Sequence, residues 1–290
     1  MAPKLGSGEL KLVGMMSFEI PGTGVCDGVP CRYGNSRLLV RGPHRPLDKP
    51  YVAFLGSSDT FGKFVKQPFP ELMEQAIGSV CVNLGSVNAG VDAFVNDVEI
   101  LRMGAAASVA VVQVMGAQNL SNRFYHVHPR RNDRFVMAST ALRMIYRDVD
   151  FTEFHFNKHM LTTLQDRSRD RFAVVQAELE SAWLSRMRLL LRHLGPKTVL
   201  LWLRHAGSGG RNCPAPLGTT PVMVSRAMLE QLAPDCGGVV EVPVTPAGLS
   251  GELPEMQFGP LQAPMAEQLI GPRTHARIAE QLAEVLRPML

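Results

Sequence analysis

The chain is short of cysteine, of long apolar runs and of any marked excess of one charge. Its five cysteines, Cys26, Cys31, Cys81, Cys213 and Cys236, are odd in number and scattered, with no C-x-x-C pair. That argues against a disulfide framework or a zinc knuckle and fits reduced thiols in a cytoplasmic protein. The longest apolar stretches, such as "SVAVVQVMGA" at 108–117, end well short of a membrane span. The N-terminal "MAPKLGSGELKLVGMMSFEI" has no long apolar core of the kind a secretory signal carries. A net charge of +4 over 290 residues, without a Lys/Arg tract or an aromatic-basic repeat, is no nucleic-acid signature and at most favours small anionic ligands. Internal repeats and low-complexity tracts are missing too.

What is present is an ordinary globular balance, 46% hydrophobic and 19% charged. Five short, nearly continuous apolar runs recur at Tyr51–Leu55, Ser79–Leu84, Ser108–Met115, Thr198–Leu203 and Val239–Val244. Continuous rather than alternating hydrophobicity is what strands buried on both faces require. Between them lie helical patterns. "PFPELMEQAIG" groups Leu72, Met73 and Ile77, "VDAFVNDVEILRMG" spaces Val91, Phe94, Val95, Val98 and Leu101, and "THARIAEQLAEVLRPML" aligns Ile278, Leu282 and Val285. Strand alternating with helix predicts right-handed βαβ units, hence a three-layer α/β/α sandwich around a parallel sheet of about five strands. Residues 1–50 read as an extended lead-in and 51–290 as a single α/β/α domain. The span at about 123–196 exceeds what one crossover needs, and it reads as a helical insertion forming a cap or an oligomer interface. Within it, "SRMRLLLRHLG" reads as a core-facing leucine stripe with exposed arginines.

Ligands of parallel α/β sheets bind outside the carboxyl ends of the strands. The loops there are "GSSDTFG" after the first strand, "NLGSVNAG" after the second and "GAQNLSN" after the third, each Gly-punctuated and rich in small polar residues. With the first strand between the other two, a serine in its loop would be flanked by donors from both sides, the layout of a nucleophile beside an oxyanion hole. In order and spacing these loops resemble the SGNH (GDSL-type) hydrolase superfamily, a flavodoxin-like fold. "GSSDTFG" matches its G-D-S-x-T/S-x-G block with Gly56, Thr60 and Gly62 in register and Ser58 at the nucleophile position, though Ser57 replaces the family's Asp. "NLG" matches the second block through Gly85. "GAQN" approximates the third, with Asn119 one residue late. "GPRTHARIAEQL" offers His275 for the catalytic D-x-x-H, but carries Pro272 in place of the Asp. More loosely, the whole chain resembles an uncharacterised proteobacterial family that shares the first loop.

The resemblance implies a serine hydrolase or acyltransferase acting on an ester-bearing, anionic small molecule or glycan. Ser58 would attack, the N–H groups of Ser58 and Gly85 and the side chain of Asn119 would hold the oxyanion, and His275 would carry the proton. His205, His126 and His128 are the other candidate bases, and Glu267 a candidate orienting acid. Ser57, Asn83, Gln118, Arg123 and Arg130 are the candidate substrate contacts. The Arg-rich "SNRFYHVHPRRND" suits carboxylate, phosphate or sulfate. Other readings of the first loop stay open. It is no Walker A loop, having one residue too many between its glycines and Phe64 where Ser/Thr belongs. A group transferase, such as a sulfotransferase or a coenzyme A-dependent acyltransferase, could bind a phosphorylated donor through 56–63 and Arg123–Arg134. A plain strand-to-helix turn capped by Thr60 or Asp59 is a third reading, and it would suit a non-catalytic binding or assembly protein. His126 and His128 lack a third ligand, so neither metal nor cofactor is expected.

Overall fold

The computed structural model describes residues 29–205, 217–218 and 221–290; Cys26, Cys213, the first part of the lead-in and most of the loop after residue 205 lie outside these described residues. The five apolar runs form one sheet from β1 (Tyr51–Leu55), β2 (Val80–Asn83), β3 (Val109–Gln113), β6 (Thr198–His205) and β7 (Gly238–Val244). Its order is β2-β1-β3-β6-β7, and every neighbouring pair is parallel. The first strand thus sits between the second and third, as the loop argument requires.

The strands read as continuous apolar runs because both faces are covered. Val52 and Phe54 of β1 point into one core and Tyr51, Ala53 and Leu55 into the other. On the first side lie α2 (Phe69–Ile77) and α11 (Pro272–Leu286). On the second lie α3 (Val91–Val95), α4 (Val98–Ala106) and the long α7 (Arg169–Leu194). Burying each aliphatic side chain in such a core contributes about 1.5–3 kcal/mol. The short helices α1 (Ser58–Phe61), α5 (Thr140–Ile145), α6 (Asn157–Arg167), α8 (Arg226–Glu230), α9 (Ala247–Ser250) and α10 (Ala263–Ala266) occupy connections. Among the described residues no helix is long and apolar enough to cross a membrane.

Three expectations change in detail. The pattern read as one helix over "VDAFVNDVEILRMG" breaks at Asn96–Asp97, because the Asp97 side chain accepts the Ile100 N–H and starts α4 afresh. The span between β3 and β6 is not wholly helical: β4 (Tyr125–Val127) and β5 (Phe135–Ala138) form an antiparallel pair too short to register as alternation. Nor is its longest helix a cap. α7 buries Phe172, Val175, Leu179, Trp183, Met187, Leu190 and Leu191 in the second core, and Trp183 donates its indole N–H to Met115 O at 2.8 Å. It is the crossover helix between β3 and β6, and its leucines face inward as their stripe predicts.

Candidate active site at the strand ends

β1 gives way to Gly56, where a Cβ would lie 2.6 Å from Gln113 Oε1 and inside contact of Thr60 Oγ1. Only glycine lets the chain turn so close to the end of β3. Gln113, the last residue of β3, organises the whole turn. Its Oε1 accepts from Ser57 N (2.9 Å), Thr60 N (3.3 Å) and Thr60 Oγ1 (2.7 Å), and its Nε2 donates to Asp59 Oδ2 (3.2 Å). α1 therefore starts at Ser58 with Ser57 as its N-cap, not at Thr60 or Asp59.

Ser58 is half-buried at the start of α1. Its Oγ donates to Asn88 Oδ1 (3.3 Å) and accepts the Asn88 N–H (3.1 Å). Asn88, in the loop after β2, takes a left-handed φ of 59°, a conformation Asn tolerates better than most residues. Its Nδ2 continues to Asp133 Oδ2 at 3.2 Å. Burial raises the Asp133 pKa, with Arg131 and Arg134 opposing that shift.

Other expected participants are arranged differently. The Gly85 N–H is taken by Asn83 Oδ1 at 2.9 Å, while Asn83 Nδ2 donates to Thr60 O at 2.8 Å. Both residues thereby brace the turn rather than face a ligand, and the donor that reaches Ser58 from this loop is Asn88. Asn119 Oδ1 accepts from Asn157, whose Nδ2 also reaches Asn132 O. Gln118 lies against Gly116, its Oε1 buried and unpaired among the described residues. Arg123 is exposed, pairs with Glu178 of α7 at 3.1 Å and covers the Phe124 ring; it does not reach the cavity described below.

His275 is the clearest correction. It is buried at the start of α11, stacked on Phe69, and its Nδ1 accepts the Phe69 N–H at 3.1 Å. With that lone pair engaged, the ring proton belongs on Nε2, and the imidazole has no nitrogen left to take a proton from a serine. The acid at this helix start is Glu252, which accepts from Thr274 N (3.0 Å) and Oγ1 (2.7 Å), whereas Glu267 sits beside Gly248. Burial pushes the His275 pKa down to about 4, against the pull of Asp59 and Glu252. An unfolded chain takes up this proton near pH 6.5, so between about 6.5 and 4 the unfolded state binds more protons. Stability from this residue is complete above pH 6.5 and falls by roughly 3 kcal/mol as the pH drops to about 4. Urea unfolding midpoints measured across that range should show the decline, and His275→Gln, which keeps an acceptor but cannot titrate, should flatten it.

A different histidine stands beside the turn. His205 ends β6, is 9% exposed, and holds Nε2 3.8 Å from Asp59 Oδ2. Burial alone would raise the Asp59 pKa; the contact with His205, backed by Gln113, outweighs it and leaves the carboxyl below its usual value. Among the described residues no group of three or more His, Cys, Asp or Glu is placed to hold a metal.

A cavity of about 500 Å3 opens beside this turn, bordered by Asn88, Phe61, Lys63, Arg130 and Arg131 and by the segment Arg37–Leu39. The two arginines come from the basic run, the others from the first two loops and the lead-in. Asn88 is the shared wall, since the same residue holds Ser58 Oγ.

Residues 16–290 match the family described as a domain of unknown function, DUF6473. The chain belongs to that family. No curated protein matches it. Among solved structures, a DUF6473 chain of this sequence is similar to the lipase Lip_vut3 from a goat rumen metagenome, at 12% identity and a TM-score of 0.44, over 81% of this chain and 97% of that one. It is also similar to a protein described as lipolytic, of the G-D-S-L family, from Desulfitobacterium hafniense DCB-2 (13% identity, TM-score 0.38, 82% and 100% covered). A third likeness is BT4096, a gut microbial diltiazem-metabolizing enzyme (13% identity, TM-score 0.41, 83% and 48% covered).

Proposed function

We propose that the chain is a divergent SGNH-like serine hydrolase or acyltransferase acting on an ester-bearing small molecule or glycan. The observation that carries the reading is Ser58, the first residue of α1 after β1, hydrogen-bonded to a cavity-lining residue, while its chain neighbour Asp59 lies 3.8 Å from His205. In this reading Ser58 Oγ attacks the acyl carbonyl and its proton passes to His205. Asp59 orients the imidazole and stabilises its charged form. The protonated imidazole then releases the alcohol, and water or an acceptor hydroxyl, deprotonated in turn by His205, cleaves the acyl-serine. The backbone N–H of Ser58, at the start of α1, is the candidate donor to the oxyanion.

A fluorophosphonate probe tests this. Wild type is expected to label and Ser58→Ala not at all. His205→Ala should slow labelling roughly 100-fold or more, and His275→Gln should label at close to the wild-type rate. Unchanged labelling in Ser58→Ala, or none in wild type, sinks the reading. A second reading, group transfer from a phosphorylated donor, is favoured by one observation: Lys63 of the first loop and Arg130 of the basic run border the same cavity.

A further inference from the structure

We infer that the cavity beside Ser58 binds a small molecule in which a phosphate or sulfate group adjoins an apolar portion. Among the described residues, four cations border the cavity, Arg37, Lys63, Arg130 and Arg131, and no carboxylate does. Among the described residues none of the four enters an ion pair. Arginines elsewhere on the surface commonly do: Arg45 pairs with Glu74, Arg171 with Asp148, and Arg204 and Arg226 with Glu241. Leu39, Phe61 and Met265 give the wall its apolar part, and Ser86, Asn88 and His128 add uncharged polar groups. Like charges gathered around a concave, partly apolar surface repel one another and focus a positive potential into it. Burial, and then the charge of Arg131, hold the Lys63 ammonium below its ordinary pKa, as such crowding requires.

The two basic walls are set before any ligand arrives. Arg130 and Arg131 lie in a turn whose backbone N–H groups donate to His128 Nδ1 at 3.3 and 3.2 Å. Fully buried Asn132 donates to His128 O (2.9 Å) and accepts from Gly90 N (2.8 Å) and Ala93 N (3.1 Å), fixing this turn to the start of α3. Opposite, Asp97 Oδ2 accepts from Ser36 Oγ (2.8 Å) and Arg37 N (3.0 Å), anchoring the arm that carries Arg37 and Leu39. Guanidinium forks and an ammonium carried on a fixed backbone suit the tetrahedral oxyanions of phosphate and sulfate. The apolar wall suits the hydrocarbon or ring such a group is attached to.

Binding stands independently of the serine chemistry; only the ligand's role as the substrate cleaved at Ser58 rests on the hydrolase reading. Isothermal titration of the full chain carrying Ser58→Ala, which precludes turnover, is the test. The probes are adenosine 3′,5′-bisphosphate and hexyl phosphate, with hexyl glucoside as the uncharged control. At least one phosphorylated probe should bind, weaken as salt is added, and lose about tenfold or more in affinity in Arg130→Glu and Arg131→Glu. Binding of the nucleotide alone marks a group-transfer donor; binding of hexyl phosphate marks a phosphorylated amphiphile. The inference is overturned if neither phosphorylated probe binds, if hexyl glucoside binds as well, or if charge reversal leaves affinity unchanged. Fluorophosphonate labelling of the same chain with Ser58 intact separates the two ideas. Labelling without probe binding removes the anion site alone, and probe binding without labelling removes the hydrolase alone.

Discussion

Arg41→Ala is expected to lower the unfolding free energy by about 3–5 kcal/mol, the range for removing one partner from a buried charged network. Arg41 is 3% exposed. Its Nη1 donates to Phe61 O (3.4 Å) and Gly62 O (3.0 Å), its Nη2 to Val65 O (3.2 Å) and Lys66 O (2.9 Å), and its Nε lies 3.4 Å from a Glu71 carboxylate oxygen. The carbonyls just past a helix have no intrahelical donor, and here one guanidinium satisfies four of them where α1 ends. Alanine would remove these donors, leaving Gly62 O its bond from Val65 N, and would release the segment that follows Ser58. For a chain of this size the loss corresponds to a melting temperature about 10 °C lower. Arg41→Lys should recover only part of it, because an ammonium cannot span both pairs of carbonyls. Calorimetry checks the stability and fluorophosphonate labelling the consequence for Ser58. A loss below about 1 kcal/mol, ordinary for a surface substitution, would contradict this account of the arm.

Gly85→Ala should be nearly as damaging, by a different route. A Cβ at Gly85 would fall inside contact of Phe61 N, 2.8 Å from Thr60 C and 2.9 Å from Asn83 Oδ1. These are the backbone of α1 and the side chain that braces it, and neither can move without moving Ser58. Overpacking against flexible side chains costs about 1–3 kcal/mol, so against backbone we expect about 3 kcal/mol or more, together with a large loss of Ser58 labelling. Alanine keeps the N–H of residue 85, so the effect would report close packing rather than a lost oxyanion donor. Gly259→Ala is the matched control: its Cβ would meet nothing nearer than Gln262 Oε1 at 3.8 Å, and stability should change by no more than about 0.5 kcal/mol. Equal behaviour of the two variants in thermal melts would refute the packing argument.

The layered sheet was legible in the sequence because a parallel sheet buried on both faces leaves uninterrupted apolar runs that short-range reading detects. The position of Ser58 was legible for a related reason. A residue just past a buried strand has nowhere to go but the sheet edge, and the glycines around it mark close backbone approaches that a Cβ would block. The partners of Ser58 were not legible. Along the chain His275 is the first choice and His205 a runner-up, and only folding reveals that His205 meets Asp59 while His275 commits its Nδ1 to Phe69. Gln113 was hidden at the end of an apolar run, although a polar residue closing a buried strand is a usable signal. Arg41, Arg37 and Asn132 act on segments 20 to 60 residues away in the chain, a range over which hydrophobic periodicity carries no information.

Composition and pattern by themselves determined the α/β class, the five strands of the parallel sheet and the turn that presents Ser58, because each follows from local burial and backbone geometry. Which imidazole stands beside that turn, which N–H reaches Ser58 Oγ and which cations share its cavity were decided only by tertiary structure. Side-chain direction and the meeting of distant segments are set by packing, and packing is a property of the whole chain.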